Sequence, residues 1–271
     1  MEKEQPLQLS EPLTASCRPF GLLLAAHGER RTDADNGVVV RLARTLADKG
    51  VAAEIGFGFI KGSPTVDEAI GALSSRDIVV YPLFLSDGYF TRVALPQLVE
   101  DARRQSAGRA IRILPPLGLD PALAGVIADE AAAAAHYRAN LPTEVSIVLL
   151  AHGSKKDQAS RVAAERLADH IRQRQSFCET RIALLEESPS LAEAIEGMSG
   201  LIIVVGLFAG EGMHGVDDAK RLVAELSRDD IMLIGPVGTF AGIETVIVSA
   251  VTNITDLTGK TSGKRTSSAN I

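Results

Sequence analysis

The segment FGLLLAAHGERR, Phe20–Arg31, returns at an offset of 125 as VSIVLLAHGSKK, Val145–Lys156. Leu24, Ala26, His27 and Gly28 fall on Leu149, Ala151, His152 and Gly153. The same offset sets Pro64 of SPTVDEAI on Pro189 of SPSLAEAI. An offset of 124 sets YPLFLSDGYF, ending at Phe90, on VGLFAGEGMH, ending at His214. Further on, PPLGLDPALAGVI and IGPVGTFAGIETVI match at about 120. Ordered blocks at a nearly constant offset identify a tandem duplication.

Each half reads as strand, helix, strand, helix, strand, helix, strand, helix. The first strands, Gly21–Ala26 and Ile147–Ala151, are apolar and end at His-Gly. Apolar positions recurring at three and four mark helices over Val38–Lys49 and Ala159–Arg174. Second strands (Ala53–Ile60, Thr180–Leu185) lead to Ser-Pro, where a proline suits the first turn of another helix. Third strands (Ile78–Leu85, Leu201–Phe208) precede glycine-containing loops, and Ala110–Leu114 and Ile231–Ile234 are the last strands. Such alternation, with near-continuous apolar strands, predicts α/β architecture: two similar doubly wound parallel-sheet lobes with a cleft between them. The divisions expected are a leader over 1–19, a first lobe over 20–140, a second over 141–254, and a disordered tail over 255–271. Ala131–Leu141 is expected to link the lobes.

Composition narrows the function classes. Of 271 residues, 46% are hydrophobic and 23% charged, as in a globular protein with a sizeable core. No apolar run approaches the roughly 20 residues of a membrane span. The polar N-terminus lacks a secretory pattern, so a cytoplasmic location and no membrane partner are expected. Two cysteines, Cys17 and Cys178, are too few for a disulfide framework. A net charge of −6 and 4% aromatics without Trp argue against nucleic acid as a partner.

Ligands of doubly wound sheets bind beyond the carboxyl ends of the strands. His27 and His152 end the first strands, and His214 follows the third strand of the second half. If strands one and three are neighbours, His152 and His214 converge, and Glu186 or Glu187 at the end of strand two can join them. Two imidazoles and a carboxylate suit Co²⁺, Ni²⁺, Fe²⁺ or Zn²⁺ with positions left open. The first half has Phe90 where the second has His214, and Lys61 where it has Glu186. Neither can ligate at neutral pH. The second half is therefore expected to hold the metal, with His27 as an extra acid/base group or a residue bonding a loop carbonyl. His136 and His170 fall in helical segments and Cys178 reads as an inert thiol. Arg30 and Arg31, with Ser154, Lys155 and Lys156, are candidates for an anion cradle near helix starts.

Together LLAHGSKK, the ESPSLAEAI block and VVGLFAGEGMHGVDDAKRLV resemble the class II tetrapyrrole chelatases, the sirohydrochlorin cobalto-, nickel- and ferrochelatases. The resemblance runs from about Phe20 to Val251, once in each half. It implies a duplicated chelatase fold holding a macrocycle between lobes, with Co²⁺, Fe²⁺ or Ni²⁺ as the metal substrate and no organic cofactor. Carried onto this chain, the histidines are His152 and His214 and the acid is Glu186, with Glu187 the alternative. Neutral imidazoles can hold the metal and accept pyrrole protons. A polycarboxylate macrocycle needs a cationic rim, for which Lys155, Lys156, Arg30 and Arg31 are the candidates. The pattern is not complete. The loop SDGYFTRVALP lacks the histidine many relatives carry there, and GEGMHGVDDAK lacks the proline kept in the first half as Pro96. The alternatives to a chelatase of cobalamin or sirohaem biosynthesis are a non-catalytic metal or tetrapyrrole carrier and a ferrochelatase acting on a less carboxylated porphyrin.

Overall fold

The computed structural model describes residues 20–28, 36–106, 108–136, 138, 144–210 and 214–259, with the backbone alone for His214 and 254–259. The first lobe contains β1 (Gly21–Ala26), α1 (Gly37–Asp48), β2 (Glu54–Phe59), α2 (Val66–Ala72), β3 (Asp77–Pro82), α3 (Leu95–Gln105), β4 (Ala110–Ile113) and α4 (Ala122–Ala135). The second repeats the order with β5 (Val145–Ala151), α5 (Ala159–Gln173), β6 (Glu179–Leu184), α6 (Leu191–Ala194), β7 (Leu201–Gly206), α7 (His214–Glu225), β8 (Ile231–Ile234) and α8 (Ile243–Gly259). Both sheets are parallel throughout, ordered β2-β1-β3-β4 and β6-β5-β7-β8. Strands one and three are neighbours in each lobe, the condition set for the expected convergence of His152 and His214.

Alternation along the central strands builds the layers. Leu22, Leu24 and Ala26 of β1 and Ile147, Leu149 and Ala151 of β5 enter one common core. That core also takes Val39 and Leu46 of α1, Ile127 of α4, Leu167 of α5 and Ile247 of α8. Leu23 and Ala25 face the other way, onto α2 and α3. Val148 and Leu150 likewise face α6 and α7. Four helices thus lie between the two sheets, and a helical layer covers the outer face of each. Burial on both faces is why the strands carry unbroken apolar runs rather than alternating polar residues.

Several boundaries differ from the sequence expectations. The proline of each Ser-Pro pair precedes the helix instead of opening it. Thr65 and Ser190 are the N-caps, and each forms a capping box with Glu68 or Glu193 three residues on. The pattern T-x-x-E and S-x-x-E carried that signal. Of the linking segment Ala131–Leu141, the first five residues belong to α4, where Ala131 and Ala135 are buried in the common core. Alanine has the best helix propensity, so the run extends the helix. The closing helix α8 continues to Gly259, past Thr255 where the expected tail begins. Residues 1–19 and 260–271 lie outside the described residues.

Two side chains give direct checks on this fold. Tyr81 of β3 is 1% exposed and its hydroxyl has no hydrogen-bond partner among the described residues. Burial, with the Asp120 charge adding to it, pushes its phenol well above the ordinary range. Tyr81→Phe deletes a desolvated, unpaired hydroxyl, so stability in urea should stay level or rise by up to about 1 kcal/mol. A loss of that size would mean the hydroxyl is satisfied. Glu54 of β2 accepts from the backbone N–H groups of Ser75 (3.1 Å) and Ser74 (2.7 Å), pinning the turn into β3. These bonds, that from Ser75 foremost, hold its carboxyl below the ordinary 4.5. A carboxyl depressed by folding stabilises fully above its unfolded pKa, and that stabilisation is lost as pH falls through the folded value. Glu54→Gln should therefore be less stable than the parent at pH 7, with the gap closing on acidification below about 4.5. A gap independent of pH would rule this out.

Candidate functional site

The site is built at the strand-to-loop turns of β1 and β5. Gly28 and Gly153, directly after the histidines, have φ of +70° and +75°. A Cβ at Gly28 would lie 2.5 Å from the Lys61 carbonyl oxygen and 2.6 Å from Phe59 Cβ. At Gly153 it would lie 3.1 Å from Glu187 Cγ. Only glycine combines that backbone with that closeness at no steric cost. The turn ends the strand abruptly and leaves the preceding histidine at the sheet's carboxyl edge.

In the second lobe, His152 Nε2 stands 3.2 Å from Glu186 Oε1, and both side chains are about half exposed (50% and 52%). The Glu186 N–H donates to the His152 carbonyl at 3.1 Å, extending the β5–β6 ladder past its last strand pair. Glu187 is used differently. Its Oε1 accepts from the Ser154 N–H at 3.0 Å and its Oε2 from Arg161 Nη2 at 2.8 Å. Arg161 also donates to the Ser188 carbonyl. The Arg161 hydrogen bond, followed by that from Ser154, holds the Glu187 carboxyl below its usual range. Of the two neighbouring acids, then, Glu186 faces His152 and Glu187 anchors the loop. Sequence position alone could not separate them, and nothing at the sequence level marks Arg161 as the anchor's partner.

Ser154 continues the loop, its hydroxyl accepting from the Lys156 N–H at 3.2 Å. Ser160 at the start of α5 accepts from the Gly153 N–H at 3.2 Å. Lys155 and Lys156 are exposed on this turn. Arg30 and Arg31, their counterparts in the first lobe, lie outside the described residues. His214 is the first residue of α7, and its side chain lies outside the described residues as well. Among the described residues no three His, Cys, Asp or Glu side chains are grouped to hold a metal, and the geometry shown is the His152–Glu186 pair.

The first lobe shows the same positions with other side chains. Lys61 N–H donates to the His27 carbonyl at 2.7 Å, matching the Glu186 bond to His152. Phe90 opens a π-helical turn (Phe90–Ala94) ahead of α3, where α7 opens with His214. The Phe90 and His27 ring centroids are 4.5 Å apart, edge to face. Lys61 Nζ lies 5.5 Å from the Phe90 centroid. His27 Nδ1 sits 2.8 Å from the Gly28 carbonyl oxygen, the loop-carbonyl bond that was the structural alternative for this residue. The three residues replacing the expected metal site thus meet one another at the carboxyl end of the first sheet.

The lobes touch at these ends. Arg92, in the turn opened by Phe90, pairs with Asp157 of the second lobe at 3.1 Å, and Asp157 in turn accepts from the Ala159 N–H at 2.9 Å at the start of α5. By contrast, a surface depression of about 450 Å³ lined by Ile171, Phe177, Cys178 and Arg181 lies at the amino end of β6, away from His152. Chemistry follows the donors, so the carboxyl ends carry the candidate site. His136 caps the C-terminus of α4 and His170 lies in the last turn of α5, neither at those ends.

Comparison with known proteins bears on the family and the fold. The CbiX family model matches twice, over residues 21–134 and 146–254. A probable sirohydrochlorin cobaltochelatase of Halobacterium salinarum is 24% identical over 217 residues, covering 73% of this chain and 74% of that protein. The structure of CbiX described as the terminal enzyme for biosynthesis of siroheme in denitrifying bacteria superposes with a TM-score of 0.68. It is 25% identical, over 86% of this chain and 98% of that one. A multi-domain Deinococcus radiodurans protein, described as similar to chelatases with two additional novel domains, shares the fold (TM-score 0.71, 23% identity, 86% of this chain). The present chain spans about half of its length, 54%. Two matches, one to each repeat and together covering most of the sequence, place the chain in the CbiX family.

Proposed function

We propose that the protein is a metal chelatase of tetrapyrrole biosynthesis, inserting Co²⁺ or Fe²⁺, with Ni²⁺ a further candidate, into sirohydrochlorin or a close relative. The observation that carries the reading is the His152–Glu186 pair, 3.2 Å apart at the end of β5. Membership of the CbiX family, and relatives named for cobaltochelatase activity and siroheme biosynthesis, support the reaction class. The repeat supports His214 as the second imidazole, because its counterpart Phe90 rests against His27.

Insertion of a divalent ion into a metal-free tetrapyrrole requires water to leave the metal and two pyrrole N–H protons to leave the macrocycle. A neutral imidazole has one lone pair to offer a borderline-soft ion, and His152, half exposed at the strand end beside Glu186, can offer it. Glu186 can complete that coordination or take up a released proton. Holding the ion from one side leaves its other face for the pyrrole nitrogens. The Glu187–Arg161 anchor serves the loop instead. It fixes Ser154 and the turn that carries Lys155 and Lys156, which supply positive charge for peripheral carboxylates. Arg30 and Arg31 are assigned the same rim role, and His27 an accessory one.

Anaerobic addition of Co²⁺, Fe²⁺ or Ni²⁺ to sirohydrochlorin, followed by visible absorbance, tests the assignment. The protein should accelerate the spectral shift, and the preferred ion identifies the metal. His152→Ala and His214→Ala should each lose about a hundredfold or more of that acceleration, with a smaller loss in His27→Ala. Full activity in both second-lobe variants would refute the site. Tight stoichiometric binding without acceleration would instead establish a carrier, and preference for a dicarboxylate porphyrin a different ferrochelatase.

The two acids should separate in the same assay. Glu186→Gln should lower the rate at saturating tetrapyrrole, whereas Glu187→Gln should act mainly by loosening the Ser154 turn and raising KM. Equal effects on rate and KM in both variants would contradict the division of roles between these neighbours.

A further inference from the structure

We propose that Lys61, Phe90 and Tyr89 of the first lobe form a subsite for the flat, carboxylate-fringed face of the tetrapyrrole, at the position equivalent to the proposed metal site of the second lobe. This rests on the chelatase reading above and adds the residues that recognise the macrocycle.

The sign of the charge is the first argument. Lys61 and Glu186 occupy equivalent positions, each donating its N–H to the carbonyl of the strand-end histidine. One lobe presents a carboxylate there and the other an ammonium. A carboxylate suits a cation, but it repels the rim of a polycarboxylate; an ammonium has the opposite preference. A macrocycle lying between the lobes meets a negative group on the metal side and a positive one on the facing side.

Shape is the second argument. The chain has no Trp and only 4% aromatic residues, yet Tyr89 is 59% exposed, a large apolar ring left in solvent. It packs edge to face on Phe90 at 5.6 Å, and Phe90 in turn lies 6.4 Å from Phe84, which is 8% exposed and belongs to the outer core. Phe90 is therefore held among Phe84, His27 and Lys61, and Tyr89 is the ring left open to solvent. Its loop is braced internally: the Thr91 hydroxyl donates to the Ser86 carbonyl at 2.8 Å, and the Arg92 N–H to Gly88 at 2.9 Å. Arg92 then ties it to Asp157, and a Cβ at Gly88 would lie 3.8 Å from Ala159 Cβ of the second lobe. Asp87 is the acid within this loop, and Lys61 is the cation set over the Phe90 ring. An exposed tyrosine ring, held on Phe90 near an ammonium, matches a planar π-system with anionic substituents.

The test titrates metal-free sirohydrochlorin into the full-length protein and into Lys61→Ala, Lys61→Arg and Tyr89→Ala. Tetrapyrrole absorbance gives Kd, anaerobic Co²⁺ insertion gives kcat and KM, and calorimetry gives Co²⁺ affinity without tetrapyrrole. Lys61→Ala should raise Kd and KM about tenfold, leaving kcat and Co²⁺ affinity within about twofold. Lys61→Arg should restore most of the binding, and Tyr89→Ala should weaken it by a few fold. The preference for sirohydrochlorin over a dicarboxylate porphyrin should narrow in Lys61→Ala. Unchanged Kd in Lys61→Ala, or an equal loss of Co²⁺ affinity, would overturn the subsite while leaving the chelatase reading intact. If the parent binds without accelerating insertion, the chelatase reading fails and the Kd series still decides the subsite. No binding by the parent would overturn both.

Discussion

One apolar core, shared by both sheets, sets everything else in place. Each sheet presents alternate residues of its central strand to the same four helices, α1, α4, α5 and α8. At roughly 25 cal/mol per Å² of apolar surface buried, a contact of this kind dominates polar links between the lobes. Those links are surface pairs such as Lys49–Glu244 and Arg174–Asp129, which contribute little. Sliding one sheet relative to the other would expose the core, so the sheets keep a fixed relation. The strand ends keep it too, and the Arg92–Asp157 contact between the two end loops is one outcome.

Within that frame, the local device is the glycine turn after each first strand. A parallel strand buried on both faces offers no free side chain along its length. Function has to sit where the strand stops. Gly28 and Gly153 stop it abruptly, and the histidine before each is the first side chain outside the core. The residue two beyond the end of β2 or β6 is then brought alongside by one more ladder hydrogen bond. That bond fixes the backbone of Glu186 and Lys61 identically while leaving the side chain free to differ. The scaffold therefore specifies a position, and the residue placed there specifies the chemistry.

Most of this architecture was legible in the sequence, because duplication and apolar strand runs are long-range patterns that survive without coordinates. The lobes, the strand-end histidines and the divergence at Phe90 and Lys61 all followed from the offset. Helix starts were less legible: Pro64 and Pro189 suit a first helical turn, yet the helices start at the capping boxes of Thr65 and Ser190 that follow them. The residues alone left Glu186 and Glu187 open and only the family resemblance favoured Glu186, since adjacent acids differ only in which way the chain turns them. Nor could the sequence show that Arg161, a helix residue, reaches Glu187. Contacts between residues brought together by packing leave no spacing to read.

The common core also bears on what the molecule was free to become. Two separate copies assembled about a two-fold axis would have placed every substitution in both partners. A residue such as Phe90 would then have stood in both halves, with no His214 opposite it. Covalent joining removes that constraint: one half carries His214 and Glu186 where the other carries Phe90 and Lys61, with the surface between them still enforced by the same helices. A duplicated chain thus carries two similar sheets whose end surfaces can differ, as Lys61 and Glu186 do.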